Sequence, residues 1–346
     1  MSRAAAMIRP AGAVYRGLVV RRAGLTLLLA GLALAAAAAA LAVGATDIGP
    51  LSALASLAGG GGQEGAIVRA LRLPRVVMGG LVGLGLAVAG TSTQALLRNP
   101  LASPFTLGIA SGAGFGAVLA IFLWGGHAKA AVAGSSFALA LTTSLFTLAA
   151  VRSRSARPET LILSGVAFMF LFSALSSFIQ YVATMDQVYE MVFWHFGSLS
   201  KAGWTEIGLA SLCILLPLPW FVRSSWDLNL LLAGDEAARS AGVDVARLRF
   251  AGVVLAALMT AGAVCFTGVI GFVGLVAPHM ARMLVGSDHR FLLPAAGCLG
   301  AALVLAADVL GRTLWPPQVV PIGIMTSFLG VPFFFSLLRS RRRDDW

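Results

Sequence analysis

Two groups of residues in this chain have types and spacing that could do chemistry, and neither is made like a catalytic centre. The first is Asp235, Glu236, Ala237, Ala238 and Gly242, inside a polar island at residues 227–249, DLNLLLAGDEAARSAGVDVARLR. Roughly twenty residues of mixed charge are too polar to enter lipid, yet suffice for two short helices with a turn at Gly234 or Gly242. A segment of this kind is a handle for something in water to hold. The second group is Arg72, Arg75 and Arg312. Arg72 and Arg75 flank Pro74, and Arg312 stands four residues after Asp308, one helical turn along the same face. Two readings are open: an internal Asp308–Arg312 pair with two headgroup anchors, or an exposed basic patch whose guanidinium groups take the carboxylates of an acidic partner.

Other chemistries find no support. His127, His195, His279 and His289 are scattered, and His195 falls in the aromatic stretch 185–204, which reads as an interfacial or re-entrant helix at the outer face. Cys213, Cys265 and Cys298 sit singly in apolar runs, behave as small hydrophobes and have no metal-ligand spacing, so no metal site is expected. There is no G-x-x-x-x-G-K-[ST] loop for a nucleotide.

The elements that must position these residues are set by solvent. Of 346 residues 58% are hydrophobic and 11% charged, with a mean hydropathy of +0.89, whereas a globular domain carries about 25% charged residues. The expected fold is all-α, a polytopic transmembrane helical bundle. Apolar runs of about 20 residues, enough to cross the hydrocarbon, occur near 25–45, 75–97, 105–124, 129–150, 161–184, 205–223, 250–268, 291–311 and 319–338. A tenth, shorter and broken at Pro278, covers 268–285. The first run is too long for a signal h-region and reads as a retained helix. Ten crossings with both termini cytoplasmic put nineteen of the 25 Lys and Arg on the inside, the distribution that orientation requires. The net charge of +11 is then met by membrane lipid headgroups, and nucleic acid is excluded as a partner. The resulting division is a basic cytoplasmic segment at 1–24, a transmembrane domain at 25–338 and a basic tail at 339–346.

Within the second and third runs, Gly79, Gly80, Gly83, Gly85, Gly90, Gly108, Gly112, Gly114 and Gly116 repeat on common helix faces, a pattern for close helix packing. Between those runs, Arg98 to Pro104 carries two prolines and reads as a tight cytoplasmic turn.

These stretches together resemble one family. Arg72-Leu73-Pro74-Arg75, Gly90 to Gln94, Arg98-Asn99-Pro100-Leu101-Ala102-x-Pro104, Leu107-Gly108, Gly112-Ala113 and Gly271-Phe272-Val273-Gly274-Leu275-x-Ala277-Pro278-His279 look like the FecCD-type permeases. Those are the membrane subunits of ATP-driven importers for iron chelates, haem and vitamin B12, and the likeness runs from about Ala70 to Leu338. Glu236-Ala237-Ala238-x-x-x-Gly242 is similar to the EAA-x-x-x-G loop of binding-protein-dependent importer permeases. The resemblance implies that the helix around Asp235 to Gly242 docks on a cytosolic ABC ATPase dimer. ATP and Mg would be bound there, so this chain binds no cofactor and is no catalyst. It implies that Arg72, Arg75 and Arg312 dock an extracytoplasmic substrate-binding protein, and that a second permease copy or paralogue completes the pathway. The setting implied is a bacterial cytoplasmic (inner) membrane.

The pathway is expected between the fifth and tenth crossings, with Ser164, Ser173, Ser176, Ser177, Gln180, Thr326 and Ser327 as lining residues. An iron siderophore is the first expectation for the cargo, with haem, cobalamin and molybdate open. An ion-coupled secondary transporter is the rival of another class, for which Asp308 is the ionisable residue. One position departs from the family pattern: Val319 stands where a Glu is frequent, which puts a polar contact near Pro321 in doubt.

Overall fold

The computed structural model describes residues 11–44, 49–57, 62–151 and 158–340, and among them every regular element is helical. Lipid offers no water to an open backbone, so apolar runs close their hydrogen bonds internally as helices. The chain begins with α1 (Ala11–Ala42), α2 (Pro50–Leu57) and α3 (Gly62–Ile67), and a π turn (Val68–Arg72) then continues into α4 (Leu73–Leu96). A 3₁₀ turn (Pro104–Leu107) precedes α5 (Ile109–Trp124), α6 (Lys129–Val151) and α7 (Pro158–Val182). Short elements fill the middle: α8 (Met185–Phe196), α9 (Trp204–Leu215), α10 (Leu218–Arg223), α11 (Ser225–Leu232) and α12 (Asp235–Ser240). The chain closes with α13 (Val245–Thr267), α14 (Val273–Val285), α15 (His289–Thr313) and α16 (Ile322–Ser340).

Among the described residues, seven helical stretches are long and apolar enough to cross a membrane, and three shorter apolar ones, in α5, α14 and α16, fall in the remaining apolar runs of the sequence. α1 starts at Ala11, inside the segment expected to be a separate basic terminus. Arg3, Arg9, Arg152, Arg154, Arg157 and Arg341 to Arg343 lie outside the described residues.

Three helices form the centre. In the most apolar window of Glu64–Leu96, 78% of residues are buried, and 67% in α13 and α15, against 17% in α7. α4 packs on α15, α13 and α14, α5 pairs with α6 and α7, and α1 lies along α15. The central contact is backbone on backbone. A Cβ on Gly83 would strike the carbonyl of Gly300, and one on Gly300 the carbonyl of Gly83, so only glycine lets α4 and α15 meet at this depth. Gly90 meets Gly274 of α14 in the same way, and Gly116 meets the Ser135 carbonyl of α6. Gly80 differs: a Cβ there would have only a Leu305 methyl at 4.0 Å.

Where α1 and α15 end and α4 begins, one acid holds two arginines and a third stands beside them. Asp308 is 2% exposed. Arg75 reaches it with Nη2 at 2.7 Å and Nε at 2.9 Å, and Arg312 with Nε at 3.1 Å. Arg312 also donates to the carbonyls of Val43 (2.8 Å) and Ala40 (3.0 Å), and Arg72 to those of Leu41 (2.8 Å) and Ala42 (2.6 Å). The last carbonyls of a helix have no intrahelical donor, and here two guanidinium groups supply the end of α1. The expected Asp308–Arg312 pair is present. The exposed basic patch is not: Arg72 is 6% exposed and the Arg312 side chain 9%, because the end of α1 takes their donors.

The aromatic stretch 185–204 contains the 12-residue α8, started by a reciprocal cap between Thr184 and Gln187. The His195 ring donates through Nδ1 to the Met191 carbonyl at 3.1 Å, a bond within its own helix.

Gly83→Ala should force α4 away from α15 and cost about 1–3 kcal/mol, read as a lower unfolding midpoint in detergent, while Gly80→Ala leaves the midpoint nearly unchanged. Asp308→Asn leaves two buried arginines short of an anion and should cost about 3–5 kcal/mol. Combined with Arg75→Met, its effect should fall well below the sum of the single changes in a double-mutant cycle.

Candidate coupling surface and membrane pathway

The polar island folds as two short helices, as its composition requires. Leu228, Leu231, Ala238, Val245 and Leu248 turn into the core, leaving Glu236, Ala237, Arg239, Ser240 and Gly242 exposed. The spacing of the E-A-A-x-x-x-G stretch has a backbone cause. Gly242 adopts φ +89° just past the end of α12, its N–H donates to the Arg239 carbonyl (2.9 Å), and the Val243 N–H donates to the Ala238 carbonyl (3.0 Å). These are the two crossed bonds of a Schellman ending, which needs a residue free to enter the left-handed region after the cap and an apolar contact across the turn. Ala238 and Val243, the two positions that such a contact would join, both belong to one apolar cluster.

The start of α12 is fixed by charge. Asp235 Oδ1 accepts from Arg249 Nη2 at 3.0 Å and Oδ2 from Arg249 Nη1 at 3.2 Å, with Arg98 at 3.8 Å and Arg239 at 4.0 Å. Arg249, 4% exposed, also donates Nε to the carbonyl of Leu96 at the end of α4 (3.0 Å). One guanidinium thus joins the handle, α13 and α4. Arg98 belongs to the proline turn, where the Asn99 side chain accepts from the Leu101 N–H at 2.9 Å. Two sequence features, Arg98 and Asp235, 137 residues apart, therefore meet. Arg98 and Arg249 were not singled out as site residues from sequence; an arginine followed by an unbroken apolar run, as at Arg249-Phe250, was the available signal.

α11 has its own anchor. Asn229 donates Nδ2 to Asp288 Oδ1 (2.9 Å), and its Oδ1 accepts from the backbone N–H and ring Nδ1 of His289 (both 2.8 Å), at the start of α15. Hydrogen bonds from Arg290, helped by Asn229, outweigh burial and hold the Asp288 carboxyl down at about 2. Arg290 in turn lies over the Trp226 ring, 4.0 Å from its centre.

The expected pathway residues do not form one surface. On α7, Ser173 and Ser177 are exposed and Gln180 half-buried, and their spacing sets them on one side. Ser164 lies nine residues, two and a half turns, before Ser173 and so on the opposite side of the helix. Ser176 is half-buried. Thr326 is fully buried and, like Ser327, gives its hydroxyl to the Gly323 carbonyl, at 3.2 and 2.8 Å. Hydroxyls in membrane helices often satisfy their own backbone in this way. The large side chains that α7 and α16 expose are apolar or aromatic: Phe170, Phe178 and Tyr181 on the first, Phe328 and Phe335 on the second. Among the described residues, no group of three or more His, Cys, Asp or Glu is placed to hold a metal ion.

Comparison with known proteins agrees with this architecture. Hemin transport system permease protein HmuU of Yersinia pestis is 40% identical over 283 residues, covering 79% of this chain and 83% of that protein. Cobalamin import system permease protein BtuC of Halobacterium salinarum is 40% identical over 282 residues, covering 80% and 74%. A solved transporter, described as of the metal-chelate ABC type in an inward-facing conformation, superposes with a TM-score of 0.81 at 32% identity, covering 92% of this chain and 99% of that one. Residues 25–340 match the model of the FecCD transport family, and the chain belongs to that family.

Proposed function

We propose that this chain is the transmembrane permease subunit of an ABC importer, passing an iron-siderophore or related metal chelate delivered by a substrate-binding protein. The observation that carries the reading is α12: a short helix locked at its start by Asp235–Arg249 and closed at its end by Gly242, with Glu236 and Ala237 exposed. That is the form of a rigid knob for a cytosolic ATPase dimer, on which ATP and Mg would be bound. Ten crossings with both ends in the cytoplasm put this knob inside, in a bacterial cytoplasmic (inner) membrane. The exposed aromatic residues of α7 and α16 offer a face on which a second permease copy or paralogue can pack. Ser173, Ser177 and Gln180 then face the shared pathway, and Ser164 and Thr326 support it from behind.

The binding protein docks at the end bearing Arg72, Arg75 and Arg312, where Arg72 and Arg312 shape the surface and Arg75 is the more open, its side chain 17% exposed. The cargo class is drawn from relatives named for hemin, cobalamin, Fe(3+)-citrate and molybdate. An ion-coupled carrier would need an acid free to exchange protons within the membrane, and the pairing of Asp308 with two arginines counts against it.

The test is reconstitution in lipid with the cognate ATPase. Glu236→Lys with Gly242→Trp should weaken ATPase binding by at least about tenfold, equal to about 1.4 kcal/mol, and abolish transport-stimulated hydrolysis while the helical signal is kept. Uptake driven by an ion gradient with this variant, and no ATPase binding by the native chain, would sink the importer reading. Arg249→Met should leave the ATPase able to bind but raise the ATP consumed per molecule imported, since α12 loses its tie to α4.

A further inference from the structure

The chain contains two lysines, Lys129 and Lys201, and both stand at the mouth of one cleft of about 680 Å³. The cleft lies between α6, α9 and the end of α13, with Phe193 and Trp194 of α8 closing it. Its rim is polar, with Lys129, Lys201 and Glu206, and its depth is apolar, with Phe137, Leu209, Cys213 and Phe266. From Lys129 to Phe137, and from Thr205 to Cys213, the helices run eight residues, about 12 Å at 1.5 Å per residue. The polar rim therefore sits at one membrane boundary and the apolar floor within the hydrocarbon. Leu209 and Leu212 of α9 are 50% and 61% exposed, so this side of the bundle faces lipid and not another helix of the chain.

We propose that the cleft binds one phospholipid with a phosphoethanolamine headgroup. Lys129 and Lys201 hold the phosphate, Glu206 takes the headgroup ammonium, and an acyl chain runs down between α6 and α9 over Phe137, Leu209 and Cys213. The occupant follows from the charge pattern of the rim: two ammonium groups beside one carboxylate match a headgroup carrying a phosphate and an ammonium. A phosphatidylglycerol headgroup offers Glu206 hydroxyls but no cation, so the charge pairing is lost. The bound lipid would act as a wedge joining α6, α9 and α13, the central helix that starts at the coupling handle. The proposal rests on these helices crossing a membrane and is independent of which cargo or partner the chain serves.

Native mass spectrometry of the full chain, extracted in mild detergent, should show one phosphatidylethanolamine retained per chain. Adding that lipid to delipidated protein in micelles should raise Tm by several degrees, and phosphatidylglycerol should raise it much less. Lys129→Gln with Lys201→Gln, and separately Ala133→Phe, which fills the cleft wall, should each abolish retention and the Tm response. Ala133→Phe decides the matter should the lysine variant not fold. No retained lipid, an equal response to phosphatidylglycerol, or undiminished retention in Ala133→Phe would overturn the proposal.

Discussion

Gly83 and Gly300 bring the backbones of α4 and α15 into contact, and most of the molecule is arranged around that approach. Helices in lipid gain nothing from hiding apolar surface from water, so their association depends on how closely their atoms can pack. Two glycines facing each other shorten the distance between axes and let neighbouring side chains interlock. The same device repeats at Gly90 with Gly274 and at Gly116 with Ser135, binding α14 to α4 and α6 to α5. A centre built this way is stiff, and the functional parts are hung from its ends.

Those ends are held by charge, each in its own fashion. At one, Asp308 gathers Arg75 and Arg312, and Arg312 together with Arg72 completes the carbonyls of α1. At the other, Arg249 and Asn229 tie the handle to α4 and to the start of α15. In both places a guanidinium or amide satisfies backbone atoms and a carboxylate at once, which is how polar groups near the membrane boundary avoid standing unpaired.

Much of this was legible in the sequence, because the signals were periodic or local. Apolar runs located the helices, including the short α14, which was expected to break at Pro278 but runs through it unbroken, and glycine spacing located the close contacts. The short exposed helices at 227–249 were visible because a polar island in an apolar chain cannot enter lipid. What could not be read depended on distant partners. Arg72 and Arg312 look like exposed arginines until the end of α1 is placed beside them, 30 residues before Arg72 and some 270 before Arg312. Thr326 looks like a pathway residue until its hydroxyl is seen to bond its own helix. Ser164 could have been separated from Ser173 by helical phase alone. Arg249 is marked locally only by the apolar run that follows it, and its partners Asp235 and Leu96 reach it only through the fold.

The two moorings of the handle have a mechanical meaning. α12 is fastened through Arg249 to the tail of α4, and α11 through Asn229 to the head of α15. These two helices are fused near their midpoints by the glycine contact and cannot slide past one another without breaking it. A push on the handle is therefore delivered at two points of one stiff body. Were such a body to pivot about that contact, its far end, where Arg72 and Arg312 hold the end of α1, would swing opposite to the handle.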